Sequence, residues 1–297
     1  MSLKPEQELH QIKKLYELLS PCFLCPLNCG ARRLEGERGI CNASQRVKIS
    51  SYTLYKGEEP PLSGVNGSGA IFFSHCNLKC VYCQNFNFSQ YGKGHFVSVR
   101  ELSNIMLDLQ SKRAANINLI TATHYLPQVT AAIKIARDKG LAIPIVYNTS
   151  GYESVRVLRL LNGFVDVYLT DFRYAFNEHA VKYSSAPFYK EIAKEALIEM
   201  YKQVGNLKIG KDGTAVKGLI IRLLLFPNGL KELEKILEII SECVGNRVHI
   251  SLMSQYVPVY RAKEYPEISR KVTKEEFLRA SHLLRKFGFT NGWLQYG

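Results

Sequence analysis

The sequence has 297 residues, with 39 Lys+Arg against 26 Asp+Glu and a formal charge of +13. A hydrophobic content of 46% with 22% charged residues excludes a largely disordered chain. No stretch approaches the roughly 18 uninterrupted apolar residues of a membrane-spanning helix. The first twenty residues interleave Glu6, Glu8, Lys13, Lys14 and Glu17 with apolar ones, unlike a secretory signal, so a soluble cytoplasmic protein is expected.

In chain order, residues 1–68 read as an N-terminal appendage. It comprises a short helix over about residues 6–19, a cysteine-rich loop, a candidate strand at 46–55 and a Pro/Gly/Ser-rich linker at 60–68. From residue 69 to 297, short apolar runs alternate with amphipathic stretches. Candidate strands are 70–73, 117–121, 143–147, 165–169, 219–226 and 248–252, apolar and often β-branched, as strands covered on both faces should be. Ser98 and Glu101 form a capping box before the stripe Leu102, Ile105, Met106 and Leu109. A second helix follows Pro127 and stops at Lys139-Gly140; Thr273 and Glu276 open another, stopped by Gly288. This alternation implies an α/β fold of right-handed βαβ units. Six strands are too few for a closed eight-stranded barrel, which leaves a partial barrel or an open doubly wound sheet.

Seven of the eight cysteines precede position 84, and grouped thiols in a large protein without a signal peptide point to metal before disulfides. Cys243 stands alone and reads as a buried small hydrophobe. Cys76, Cys80 and Cys83 have the spacing C-x3-C-x2-C directly after the strand at 70–73. Three thiolates in one loop hold three corners of a four-iron cube and leave one iron open, and an open metal position is a place for catalysis. The bland alternatives are a structural zinc loop or buried cysteines. The location favours the catalytic reading, because active sites in βα folds lie at the C-terminal ends of the strands.

With Tyr82 before the last cysteine, this triplet resembles the signature of the radical S-adenosylmethionine (SAM) superfamily. The strings Ser74-His75-Cys76-Asn77-Leu78-Lys79-Cys80, Cys83-Gln84-Asn85, Thr123-His124-Tyr125-Leu126-Pro127-Gln128, 165–172 and 252–256 resemble proteins related to pyruvate formate-lyase activating enzyme. The resemblance covers residues 20–297. It implies a partial (β/α)6 barrel of the TIM type holding one [4Fe-4S] cluster and SAM. Electron transfer from the cluster, supplied by a reductant such as flavodoxin or ferredoxin, would cleave SAM to a 5′-deoxyadenosyl radical that abstracts hydrogen. By resemblance the substrate is a protein, a glycyl radical enzyme. The competing readings are an RNA or small-metabolite substrate, and a non-catalytic metal-binding scaffold or redox sensor.

Polar residues collect after each candidate strand, as a site at that end requires. Thr121, Thr123 and His124 stand where many superfamily members carry a Gly-Gly-Glu-type motif for the SAM amino group. Asn148, Thr149 and Ser150, followed by Gly151, fit a surface for ribose hydroxyls or equally a plain loop with a helix cap. Asp171-Phe172-Arg173 replaces the Asp-x-Lys pair of the activating enzymes, and Arg222 resembles a family arginine near the SAM carboxylate or else pairs within the barrel. Upstream, Cys22, Cys25, Cys29 and Cys41 supply four thiols within twenty residues, suited to tetrahedral zinc or a fully ligated cluster, and Pro26 after Cys25 resembles ferredoxin-like loops. The charge of +13 contains no Lys/Arg run of five, so a nucleic-acid partner is not indicated.

Overall fold

A computed structural model describes residues 4–296. Helix α1 (Pro5–Glu17) precedes strand β1 (Val47–Tyr55), the helical turn α2 (Pro60–Ser63), β2 (Ser68–Phe73), the turn α3 (Phe86–Ser89) and β3 (His95–Val97). There follow α4 (Val99–Ser111), β4 (Ile117–Ile120), α5 (Leu126–Asp138), β5 (Ile145–Thr149), α6 (Val155–Leu160) and β6 (Val167–Asp171). The chain continues through α7 (Asn177–Ser184), α8 (Tyr189–Val204), β7 (Lys208–Ile209), β8 (Ala215–Leu224), α9 (Leu230–Val244), β9 (His249–Met253), α10 (Lys274–Lys286) and β10 (Gly292–Gln295). None of the described helices is long and apolar enough to cross a membrane.

One mixed sheet runs in the order β10-β9-β8-β6-β5-β4-β2-β1-β3, with β7 joined to β8. From β2 to β10 the neighbours are parallel, whereas β1 is antiparallel to both β2 and β3. The path has two free ends, so the sheet is not closed. Its two faces differ. Tyr147, Tyr168, Leu219 and Ile221 pack with Leu102, Ile133 and Leu237 of the helix layer. Val146, Val167, Leu169 and Ile220 meet Leu62 on the opposite face. Successive strand residues alternate sides, so Asn118, Asn148, Asp171 and Arg222 share the Leu62 face.

That second face is concave around the segment before α2. Glu58 pairs with Arg222 on β8 and lies against Asn118 on β4, although β5 and β6 lie between them. In a flat sheet three strand spacings would separate β4 from β8 by about 14 Å, beyond one carboxylate's reach. The sheet therefore wraps around this segment. Arg222 takes Glu59 in a bidentate grip, Nε to Oε1 and Nη2 to Oε2 both at 2.6 Å, and also pairs with Glu58. Burial works to raise both carboxyls. For Glu59, wholly buried, Arg222 outweighs it and the pKa falls, while Glu58 stays raised.

Both expected capping boxes form: Glu101 N donates to Ser98 Oγ and Glu276 N to Thr273 Oγ1, each at 3.1 Å. Strand β1, within residues 1–68, belongs to the main sheet, and the stretch 60–68 carries the buried residues Leu62, Ser63 and Ser68. Two expectations about strands are corrected. Strands expected at 143–147 and 165–169 start two residues later, because Pro144 has no N–H for a ladder and Asn148 and Thr149 are buried as strand residues. A seventh parallel strand, β10, went unread because its residues are polar or half-exposed.

Arg222→Ala would leave two buried carboxylates without their cation. We expect a loss of about 3–5 kcal/mol in urea unfolding; a loss below about 1 kcal/mol would show that the carboxylates are hydrated.

Candidate functional site

The cysteine loop leaves β2 through His75, a non-glycine residue with φ of 74°, and its path is fixed by backbone bonds. His75 N donates to Phe88 O at 2.8 Å, Lys79 N to Ser184 O at 2.9 Å and Val81 N to Tyr183 O at 2.8 Å. Arg261 N in turn donates to Val81 O at 2.8 Å. The loop is thus held by α3, α7 and the chain after β9. Tyr82 closes it from behind, its buried ring 4.8 Å from Phe226 and 6.0 Å from Tyr256.

Each of the three thiols meets a hydrogen-bond partner. Leu78 N donates to Cys76 Sγ at 3.4 Å, and Ser89 Oγ lies 3.1 Å from Cys83 Sγ. Cys80 Sγ accepts from Arg173 Nη1 and from Ser184 Oγ, both at 3.1 Å. Behind it, Ser184 Oγ is 2.7 Å from Tyr174 Oη, which is 2.6 Å from Tyr82 Oη. Arg173 Nε also donates to Asp171 Oδ2 at 2.9 Å. Burial opposes the guanidinium's charge, but Asp171 first and then Cys80 outweigh it and keep Arg173 protonated. A cationic donor and a hydroxyl thus both point at this one sulfur.

Burial, and after it the neighbouring Cys80, pushes the Cys76 thiol up to about 12; the same two causes raise Cys83. The three sulfurs therefore lie close enough to repel as thiolates, and bound cationic iron reverses that balance. Among the described residues no three His, Cys, Asp or Glu side chains are gathered as ligands of a single ion. Three cysteine thiols in one loop are the donor type that iron–sulfur clusters take.

Of the other sequence-derived candidates, Asn148, Asp171 and Arg222 stand on the concave face and Arg173 at its edge, beside Cys80. Arg222 is engaged by Glu58 and Glu59, the pairing the sequence left open. Thr121 Oγ1 donates to Asn148 O at 3.0 Å, and Ser150 Oγ is buried with no hydrogen-bond partner. Gly151 has φ of +76°, and a Cβ there would stand 2.4 Å from Asp171 O, so the loops after β5 and β6 touch only because it is glycine.

Thr123 and Thr149 turn instead toward the helix layer. Both donate to Glu153 Oε1, Thr123 at 2.6 Å, and Tyr147 Oη joins them at 3.0 Å. Burial lifts the Glu153 carboxyl to about 7, the three hydroxyls only moderating it. His124 is also buried. Its Nε2 lies 2.8 Å from Ser74 O, which can only accept, so Nε2 carries the hydrogen and Nδ1 is left without a partner. Burial drives its pKa down to about 3, so the ring is neutral. Tyr174, Ser184 and Glu153 carry no motif. An acid two residues beyond a strand-end glycine was the one trace of Glu153 in the sequence.

Cys22, Cys25, Cys29 and Cys41 line one small cavity together with Arg33 and His124. Elsewhere an apolar cavity of about 300 Å³ lies between the sheet, α7 and α9, lined by Phe172, Tyr183, Leu225, Phe226 and Leu233, with Arg173 as a shared wall toward Cys80.

No family model matches the sequence. The chain is 36% identical over 279 residues to an uncharacterized protein of Methanocaldococcus jannaschii, covering 90% of this chain and 75% of that one. Among solved structures, a domain of a pyruvate-formate lyase-activating enzyme from Bacteroides vulgatus overlaps 55% of this chain and 86% of its own, at 12% identity and a TM-score of 0.40.

The raised Glu153 predicts a pH signature. Its folded pKa of about 7 lies above the ordinary 4.5, so the folded protein holds an extra proton in between. Stability is then greatest below 4.5 and falls as pH rises to about 7, by roughly 3 kcal/mol. Urea titrations of the Glu153→Gln variant should lack that fall; parallel curves for the two proteins would contradict the assignment.

Proposed function

The chain belongs to the family of the Methanocaldococcus jannaschii protein, and from its cysteine loop we propose that it is a radical SAM enzyme. The observation that carries this reading is the packing of Cys76, Cys80 and Cys83 in one anchored loop at the C-terminal end of β2, with Arg173 and Ser184 donating to Cys80. The sheet, curved and largely parallel, is read as a partial (β/α)6 barrel of the TIM type.

Cys76, Cys80 and Cys83 would hold three irons of a [4Fe-4S] cluster. The cluster supplies the electron that splits SAM into methionine and a 5′-deoxyadenosyl radical able to take hydrogen from a substrate. The chain's part is to bind, orient and keep water out. Arg173 sets positive charge against Cys80, and the Tyr82–Tyr174–Ser184 chain fixes that sulfur's direction. Thr121 spends its hydrogen on Asn148 and keeps lone pairs for an ammonium group. Ser150 Oγ, buried and unpaired, and Asn148 on the concave face suit ribose hydroxyls. Asp171 is the remaining acid at this edge. Arg222 belongs to the interior ion network in this reading, and Thr123, Thr149 and His124 to the supporting layer.

By the sequence resemblance the hydrogen comes from a glycine of a glycyl radical enzyme, with a flavodoxin or ferredoxin as reductant. A small-metabolite substrate is the second reading, favoured by the apolar cavity that shares Arg173 with the cysteine loop.

After anaerobic loading with iron and sulfide, and with dithionite as reductant, the protein should convert SAM to 5′-deoxyadenosine. Cys80→Ala should lower the rate at least a hundredfold, whereas Cys243→Ala, altering a half-buried residue at the end of α9, should leave it unchanged. Zinc without iron in the loop, or full turnover by Cys80→Ala, would refute the reading.

A further inference from the structure

Four thiols converge a second time, away from the loop just described. Cys22, Cys25, Cys29 and Cys41 surround a small cavity, closed by Leu24, Leu27, Arg33, Ile40 and His124. Every cysteine of the N-terminal group faces it. None is paired in a disulfide. At Gly39 a Cβ would stand 2.8 Å from Cys29 Sγ and 3.8 Å from Cys41 Sγ, so a side chain at this position would displace a thiol. Arg33, wholly buried, points Nη1 at Cys22 Sγ at 3.8 Å and anchors Nη2 on Ser44 O at 2.6 Å.

The surroundings hold polar atoms that nothing in the protein satisfies. Arg33 Nε and His124 Nδ1 on the cavity wall are buried without hydrogen-bond partners, as is Tyr125 Oη beside them. Leaving such groups unpaired in the interior is unfavourable. An anionic sulfur-rich group in the cavity gives Arg33 Nε an acceptor; an apolar filling gives it nothing. Soft thiolates select zinc, copper(I) or iron–sulfur clusters. A single tetrahedral ion draws its four sulfurs to one point about 2.3 Å away and leaves no cavity between them. Four thiols spread around a shared cavity match the four corners of a cube.

We propose that these cysteines hold a second [4Fe-4S] cluster, ligated at all four irons and therefore an electron carrier without a vacant position. Its place in the fold adds to this. His124 lines the cavity on one side and holds Ser74 O, two residues before Cys76, on the other. One neutral imidazole thus joins the cavity wall to the strand end from which the Cys76–Cys83 loop departs. The site itself stands independently of the radical SAM reading, whereas its use as an electron carrier to the Cys76–Cys83 loop rests on that reading.

The test uses the full chain, loaded anaerobically with iron and sulfide, desalted, and assayed for metals and by Mössbauer spectroscopy. Two four-iron cubes give about eight irons per chain. Cys25→Ser with Cys29→Ser should halve this, as should Cys76→Ser, Cys80→Ser and Cys83→Ser combined. The triple variant is the stronger arm, since it leaves the N-terminal site untouched and should still show a four-iron spectrum. Zinc at about one per chain in that variant, or no metal at all, overturns the proposal. So does a wild-type content of about four irons that the N-terminal substitutions do not lower. If the N-terminal variant keeps about four irons that ignore SAM, the radical SAM reading falls while the second cluster stands on the triple variant's iron.

Discussion

Three sulfur atoms carried on eight residues crowd one half-buried loop, and as thiolates they repel one another. That conflict organises the C-terminal end of the sheet. The loop does not relax outward, because α3, α7 and the chain after β9 each hold part of its backbone. Nor are the sulfurs left bare: a guanidinium and a hydroxyl address Cys80, a second hydroxyl lies against Cys83 and a peptide N–H points to Cys76. Such donors partly stabilise negative sulfur, and a cationic cluster would complete the balance. In the fold's terms, strand β2 aims the loop, the aromatic layer of Tyr82, Phe226 and Tyr256 backs it, and Arg173 ties it to Asp171.

A second constraint lies below this edge. Arg222, Glu58 and Glu59 form a desolvated ion group in the hollow of the sheet, with Asn118 and Ser251 beside it. Because these partners come from β4, β8, β9 and the turn before α2, the group fixes the curvature that brings the strand ends together. Buried ion pairs add little net stability, but they penalise every arrangement that separates them. The N-terminal segment is in this way part of the site's floor.

Much of the site was legible in the sequence because its chemistry is local. Cys76, Cys80 and Cys83 are neighbours in the chain, as are Asp171 and Arg173, and the capping boxes span three residues each. What escaped depends on contacts between distant segments. Ser184 lies 104 positions from Cys80, and Tyr174 lies 92 from Tyr82. Thr123 and Thr149 looked like strand-end site residues, but a buried carboxylate at position 153 turns them to the helix side. Pro60 and Pro61 suggested a linker, whereas Pro at the start of a helical turn is equally compatible with the buried plug that forms. Strand β10 was hidden by its own exposure: an edge strand with Gly292, Gln295 and half-exposed neighbours lacks the apolar signal that marked the other parallel strands.

The most direct measurement of the central claim is the low-temperature electron paramagnetic resonance spectrum of the reduced Cys25→Ser/Cys29→Ser protein, recorded with and without SAM. The account expects a four-iron signal whose g-values change on adding SAM, because the open iron gains new ligands. A spectrum with no iron–sulfur signal, or one that SAM leaves unaltered, would contradict it.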